Sequence, residues 1–279
     1  LWSARLGDNQ VSSPIFVPME GALARGRDRL FIASENGNLY ALDAGTGAER
    51  WAQPARAAIK GSPGFFRAPG GPRVVIGSKH GVVRCLDAVS GALVWRFRTM
   101  HWVDGSAAVA ELAGRPVVFI GSYDNHLYAL DGRTGRPLWS YRTAAGVYSS
   151  PAVFRDRTGA LRVLISSWDH HLHCVSADDG SLLWSTFTGR PLWDSISLGD
   201  SIWSSPTVAD IGGERIAYFG SYSGPLYAIP IARAAKEALA RPGTNMDFWV
   251  TLPLVIVGVG GLAVFLTRRQ RRRERARLE

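Results

Sequence analysis

Four tryptophans, Trp51, Trp95, Trp139 and Trp184, step along the chain by 44, 44 and 45 residues. Each closes a copy of one phrase. Residues 121–139 read GSYDNHLYALDGRTGRPLW, 77–95 read GSKHGVVRCLDAVSGALVW, and 33–51 read ASENGNLYALDAGTGAERW. A weaker copy at 166–184 reads SSWDHHLHCVSADDGSLLW, and a fifth at 220–230, GSYSGPLYAIP, keeps only the first half. A unit of this length that recurs in register is one supersecondary element copied along the chain, and each copy buries its apolar face against its neighbours.

Each copy has the same grammar. It opens on a Ser-Pro phrase and an apolar run, at Ser13-Pro14, Ser62-Pro63, Ser150-Pro151 and Ser205-Pro206, with Ser106-Ala107 as the departure. A second apolar run follows, such as Pro116 to Ile120, then a tight turn and a third run, such as Leu127 to Leu130. A turn with Asp, Thr or Ser, and Gly leads into the strand that holds the Trp. Turn signals about every ten residues, without a 3.6-residue period, predict four short strands per unit. Gly37, Gly81 and Gly224 stand where a short hairpin needs positive φ, and Asn125 and His170 take that place in the other copies. In the turns Asp43 to Gly47 and Asp131 to Gly135, the Asp side chain is placed to accept backbone N–H groups ahead of it.

The order Ser-Pro, Gly-Ser, Leu-Tyr-Ala-Leu-Asp, Thr-Gly, Trp resembles the PQQ-like repeat over about residues 1–230. That family includes quinoprotein dehydrogenases and the BamB-type scaffold lipoproteins of outer-membrane assembly. The resemblance implies an all-β protein, a β-propeller of four-stranded blades with five repeats visible. The opening phrase LWSARL reads like the last strand of a blade, and pairing it with the fifth repeat would close a ring of five. Further blades and an export signal are expected upstream.

Residues 231–246 change character to a helix-prone linker that stops at Pro242-Gly243. Phe248 to Thr267 follow without a charge, within a segment 247–267 expected to be a transmembrane helix. Twenty helical residues span about 30 Å, the hydrocarbon thickness of a bilayer. The tail, 268–279, holds seven Arg against Glu274 and Glu279, so it carries +5 of the chain's +9. Such a cluster beside a membrane helix reads as the cytoplasmic anchor rather than a nucleic-acid contact. The expectation is a single-pass inner-membrane protein with its propeller in the periplasm and its C-terminus in the cytoplasm.

Candidate site residues come from repeat positions that break the pattern. The residue after Gly-Ser is aromatic in three consecutive copies, Tyr123, Trp168 and Tyr222. An exposed aromatic arc reads as a partner surface, and the same rings buried would wedge between blades. The stretch 190–205 is a loop about ten residues longer than its counterparts, and it carries Trp193 and Trp203. Lys60 and Asp104 share a position just before the Ser of their repeats, from which both can face a central channel.

His170, His171 and His173 replace ordinary turn and strand residues and read as structural. Cys85 and Cys174 lie two repeats apart in third strands and read as buried thiols. Loops such as Arg155 to Gly159 lack the alternating carboxylates of a calcium site. No catalytic, cofactor or metal residues are assigned.

The function expected is a non-catalytic protein-binding or scaffolding module for an envelope partner. The alternatives are a dehydrogenase dependent on pyrroloquinoline quinone (PQQ) with calcium, or a ligand-sensing ectodomain. The adjacent cysteine pair that quinoprotein dehydrogenases carry has no counterpart here.

Overall fold

The computed structural model describes residues 1–7, 12–19, 28–187, 204–220 and 226–232. These lie within one compact unit, Leu1–Phe248. Every sheet in it is antiparallel and follows chain order. The first holds β1 (Ile15–Val17), β2 (Arg29–Ala33), β3 (Asn38–Asp43) and β4 (Glu49–Pro54). The second holds β5 (Gly64–Ala68), β6 (Gly71–Ile76), β7 (Val82–Asp87) and β8 (Leu93–Arg98). The third holds β9 (Ala108–Leu112), β10 (Arg115–Ser122), β11 (His126–Asp131) and β12 (Pro137–Arg142). The fourth holds β13 (Ala152–Arg155), β14 (Leu161–Ser166), β15 (His171–Ser176) and β16 (Leu182–Phe187). Among the described residues the fifth has three strands, β17 (Thr207–Ile211), β18 (Glu214–Gly220) and β19 (Leu226–Pro230). These are propeller blades, one per sequence repeat.

The core lies between blades, in four layers. Val74 and Ile76 pack with Phe31, Leu39 and Ala41 of the first blade, while Val75, Val83 and Cys85 face Val118, Ile120 and Leu130 of the third. Successive residues of a strand point to opposite faces, so a strand sandwiched between two blades must be apolar on both. That is why the middle strands read as unbroken apolar runs. The layers continue between the third and fourth blades and between the fourth and fifth.

The Trp residues fasten these layers. Trp51 stands against Gly91, Trp95 against Gly135 and Trp139 against Gly180, each glycine closing the turn before the last strand of the next blade. The Trp95 indole N–H donates to Gly132 O at 2.8 Å and that of Trp139 to Ala177 O at 3.0 Å. Across the strand pair, Trp51, Trp95, Trp139 and Trp184 lie opposite Ala41, Cys85, Ala129 and Cys174, and the register shifts just after each of these residues. A small residue is needed beneath the ring, which explains why two cysteines stand where other repeats have alanine. Both are free thiols and both are buried.

The turns behave as the sequence predicts. Asp43 Oδ1 accepts N–H bonds from Gly45 and Thr46, and Gly47 follows at φ 73°. Gly37, Gly81, Asn125 and His170 all have positive φ; Gly224 lies outside the described residues.

One expectation is corrected. Leu1 to Leu6 form no strand, and the fifth sheet has only its own three strands among the described residues. The segment packs instead on the first blade, where Trp2 Nε1 donates to Ala44 O at 3.2 Å and the ring lies against Gly47. Trp2 thus takes the place toward the first blade that Trp51 takes toward the second.

Ile231 and Ala232 are helical, and the rest of the 231–246 linker lies outside the described residues, as do 247–267 and 268–279. Among the described residues no helix is long and apolar enough to cross a membrane.

Candidate functional site

Two features meet at one end of the blades, the end that carries the β2–β3 type of loop. The first is polar. Lys60, Asp104 and Tyr148 occupy one repeat position, the residue two before the Ser-Pro or Ser-Ala phrase. They line a cavity of about 320 Å3 together with Ser62, Ser106 and Ser150. The serines tie blade to blade, because the Ser62 N–H donates to Ser106 Oγ and the Ser106 N–H to Ser150 Oγ, both at 2.8 Å. The ladder extends at either end, from Ser13 N–H to Ser62 Oγ and from Ser150 N–H to Ser205 Oγ. This is the physical reason for a serine at the head of each repeat.

Asp104 is 5 % exposed, and its buried Oδ1 has no hydrogen-bond partner among the described residues. Desolvation raises its carboxyl above the usual carboxylate range, against the pull of Lys79 and Lys60. Lys60 itself stands 4.0 Å from Glu35. Asp104 is thus a buried acceptor that faces a polar cavity and lacks a donor.

The second feature is aromatic. Tyr123 and Trp168 meet edge to face at 4.9 Å, and Tyr148 lies 5.6 Å from Tyr123. Trp102 joins at 5.6 Å from Tyr123, and the Lys79 ammonium sits 4.9 Å over the Trp102 ring. Backbone bonds hold the cluster in place: the Tyr123 N–H donates to Trp102 O and the Trp168 N–H to Gly146 O, each at 2.9 Å. Tyr123 and Trp168 therefore do wedge between blades. Their cluster also continues to the surface at Trp102, which is 43 % exposed, and Met100, two residues before it in the chain, is 90 % exposed.

The sequence reading missed Met100, Trp102 and Tyr148. Tyr148 was findable, since it shares the repeat position of Lys60 and Asp104. Tyr222, Trp193 and Trp203 lie outside the described residues.

A third grouping is of metal-ligand type. Asp169, His171 and His173 each offer a ligand atom, and these atoms lie within 4.8 Å of one another. Asp169 and His173 are bonded at 3.1 Å, and His173 Nδ1 lies 3.0 Å from the Tyr141 hydroxyl. The described residues contain no neighbouring cysteine pair, since Cys85 and Cys174 belong to different blades.

The model of the family "outer membrane protein assembly factor BamB" matches residues 1–69 and 61–259. The chain belongs to this family. Among solved structures, BamB from Moraxella catarrhalis is similar at 22 % identity and a TM-score of 0.62, over 81 % of this chain and 62 % of that one. The chain therefore spans less than two thirds of that BamB. The quinohemoprotein alcohol dehydrogenase ADHIIG from Pseudomonas putida HK5 is similar at 17 % identity and a TM-score of 0.60, over 82 % of this chain and 42 % of that one. A computationally designed protein, Ika8, is similar at 17 % identity and 0.56, over 73 % and 55 %. Comparison with curated protein sequences gives no match. The BamB relationship and these likenesses agree on a PQQ-like propeller, and the similar structures include both a BamB and an alcohol dehydrogenase.

Proposed function

We propose that the chain is a non-catalytic docking module for another protein of the bacterial envelope, held at the inner membrane by residues 248–267 with its propeller in the periplasm. The observation that carries this reading is the aromatic cluster. Tyr123, Trp168 and Tyr148 pack on one another, and Trp102 extends the same cluster to solvent, two residues along the chain from the exposed Met100. Interface anchors are large rings held in place before the partner arrives, because little side-chain entropy is then lost on binding. The name of the BamB family, an assembly factor, supports a protein partner.

The test is photo-crosslinking in cells from the full chain, with the reactive residue at Met100, at Trp102 or at Thr158. Thr158 lies in the β13–β14 turn, at the opposite end of the blades. Discrete adducts with an envelope protein from Met100 and Trp102, and none from Thr158, are expected. No adduct from the face, or equal adducts from both ends, overturns the reading.

Asp104 and Lys60 in one cavity favour a second reading, a PQQ-dependent dehydrogenase. Calcium takes six to eight oxygen ligands. Among the described residues the cavity offers one carboxylate, Asp104, and the hydroxyls of Ser62, Ser106, Ser150 and Ser205, all four of which already accept backbone N–H groups. This donor set fits a calcium–quinone centre poorly, so docking stands first. Titration of the full chain with PQQ and calcium, followed by tryptophan fluorescence, separates the two. Saturable quenching with a higher melting temperature favours the dehydrogenase.

A further inference from the structure

We propose that the fourth blade holds one divalent transition-metal ion between the Asp169 carboxylate and the imidazoles of His171 and His173. The argument is independent of the docking reading and rests on a comparison between blades. In the third blade the same three positions are Asp124, His126 and Tyr128. There Asp124 Oδ2 accepts the Met100 N–H and the Tyr128 hydroxyl, both at 2.9 Å, and so ties the loop to the preceding blade. In the fourth blade Asp169 Oδ2 accepts the Ala144 N–H at 3.0 Å, and His173 Nε2 takes the place of the phenol at 3.1 Å. The clamp therefore needs no more than a tyrosine at 173, as Tyr40, Tyr128 and Tyr227 stand at the corresponding place in three other repeats. A histidine there adds a nitrogen ligand to a loop that already has an Asp and a His.

The geometry is prepared for an ion. One ligand atom from each residue lies within 4.8 Å of the others. Zinc with donors at about 2.1 Å in a tetrahedron holds them about 3.4 Å apart, so side-chain rotation has at most about 1.4 Å to close. Asp169 and His173 side chains are each 8 % exposed and His171 14 %, so the set is sheltered but within reach of solvent.

The His173 ring is also oriented from behind, as metal-bound histidines usually are. His173 Nδ1 lies 3.0 Å from the Tyr141 oxygen, and the His171 ring is held beside the carboxylate, its Nδ1 2.7 Å from Asp169 O and 3.5 Å from Asp169 Oδ1. When Nε2 of His173 binds the ion, its ring proton sits on Nδ1, where the Tyr141 oxygen accepts it. Asp169 keeps the N–H bonds of Ala144 and of His171 that hold its carboxylate in place. Two imidazoles and one carboxylate suit zinc, nickel or copper rather than calcium or magnesium.

The test uses the full chain without a histidine tag. It is dialysed against micromolar zinc chloride, and the metal retained and the melting temperature are measured. About one zinc per chain and a zinc-dependent rise in melting temperature are expected. His173→Tyr, which restores the third-blade arrangement, should keep its metal-free melting temperature and weaken zinc binding at least tenfold. His171→Asn, which introduces the residue type that Asn38 has at this place in the first blade, should do the same. It carries the test alone if His173→Tyr does not fold. His80→Ala, at the exposed histidine of the second blade, should change nothing. Failure of the wild-type chain to retain zinc, or retention unchanged by either variant, overturns the proposal.

Discussion

The Trp95 ring lies on the backbone of Gly135, one blade further along the chain, so closely that a Cβ on Gly135 would stand 2.5 Å from Cε3 of the indole. The same glycine has φ 72°, a region where a side chain is strained. Two demands therefore fall on one residue, the turn and the seat for the ring.

A pair of variants separates them. Gly159 has φ 84°, and a Cβ added there would meet nothing within 4 Å. Gly159→Ala should cost only the backbone strain, about 1–2 kcal/mol. Gly135→Ala should cost that and a further amount of about 1–3 kcal/mol from overpacking. Chemical denaturation of the two variants checks the difference, and equal losses would mean that the ring shifts freely.

The indole N–H groups are not equivalent either. Trp95 Nε1 donates to Gly132 O at 2.8 Å, whereas Trp51 Nε1 is buried with no hydrogen-bond partner among the described residues. Replacement by Phe removes a bond at Trp95 and an unsatisfied donor at Trp51. Trp95→Phe should therefore destabilise more than Trp51→Phe, by about 1–2 kcal/mol. The comparison is read from the midpoints of urea melts of the two variants.

Asp104 gives a pH dependence. Desolvation raises its carboxyl in the folded state, with the lysines opposing. The folded state then binds the proton more tightly than the unfolded chain does, so ionisation above the unfolded value costs stability. Asp104→Asn should raise the melting temperature at about pH 7.5, where the carboxyl is ionised in the unfolded chain. The gain should shrink as pH falls through the raised folded value and disappear below the unfolded one. A gain that is constant with pH would exclude titration as its cause.

Cys85 and Cys174 sit beneath Trp95 and Trp184, and burial pushes each thiol up to about 12. At neutral pH almost no thiolate is present, and neither sulfur is accessible. A thiol reagent should label neither cysteine in the native protein and both in denaturant. Fast labelling of one would reveal local opening of that blade.

Much of the architecture was legible because it is local. Asp43 to Gly47 announces a turn, Asn125 and His170 announce positive φ, and the apolar runs announce strands. The period of the tryptophans then places one sheet per repeat. The three strands of the fifth blade among the described residues follow from the first half of its phrase. The seat of Leu1 to Leu6 did not follow, because a strand-like sequence does not say which edge or which face it meets. Trp2 seats on Gly47, a contact between residues 45 apart that no strand propensity encodes.

The candidate site was legible only by position. Lys60 and Asp104 stand out as exceptions at one repeat position, and Tyr123 and Trp168 at another. That the cluster also includes Trp102 and Tyr148 depends on how the β8–β9 and β12–β13 connections fold, where Thr99, Val103 and Ser106 recur as Thr143, Val147 and Ser150 but the positions of the rings vary from copy to copy.

Residue order alone settles the blade, its turns, and the number of blades that can be counted, because these rest on backbone propensity and on which face of a strand is apolar. Which exceptions meet is a matter of the folded arrangement. Lys60, Asp104 and Tyr148 come together from repeats 44 residues apart because the serine ladder and the tryptophan seats stack successive blades in register. Stacking carries a residue to its equivalent in the next blade, and a linear chain of residues holds no such distance.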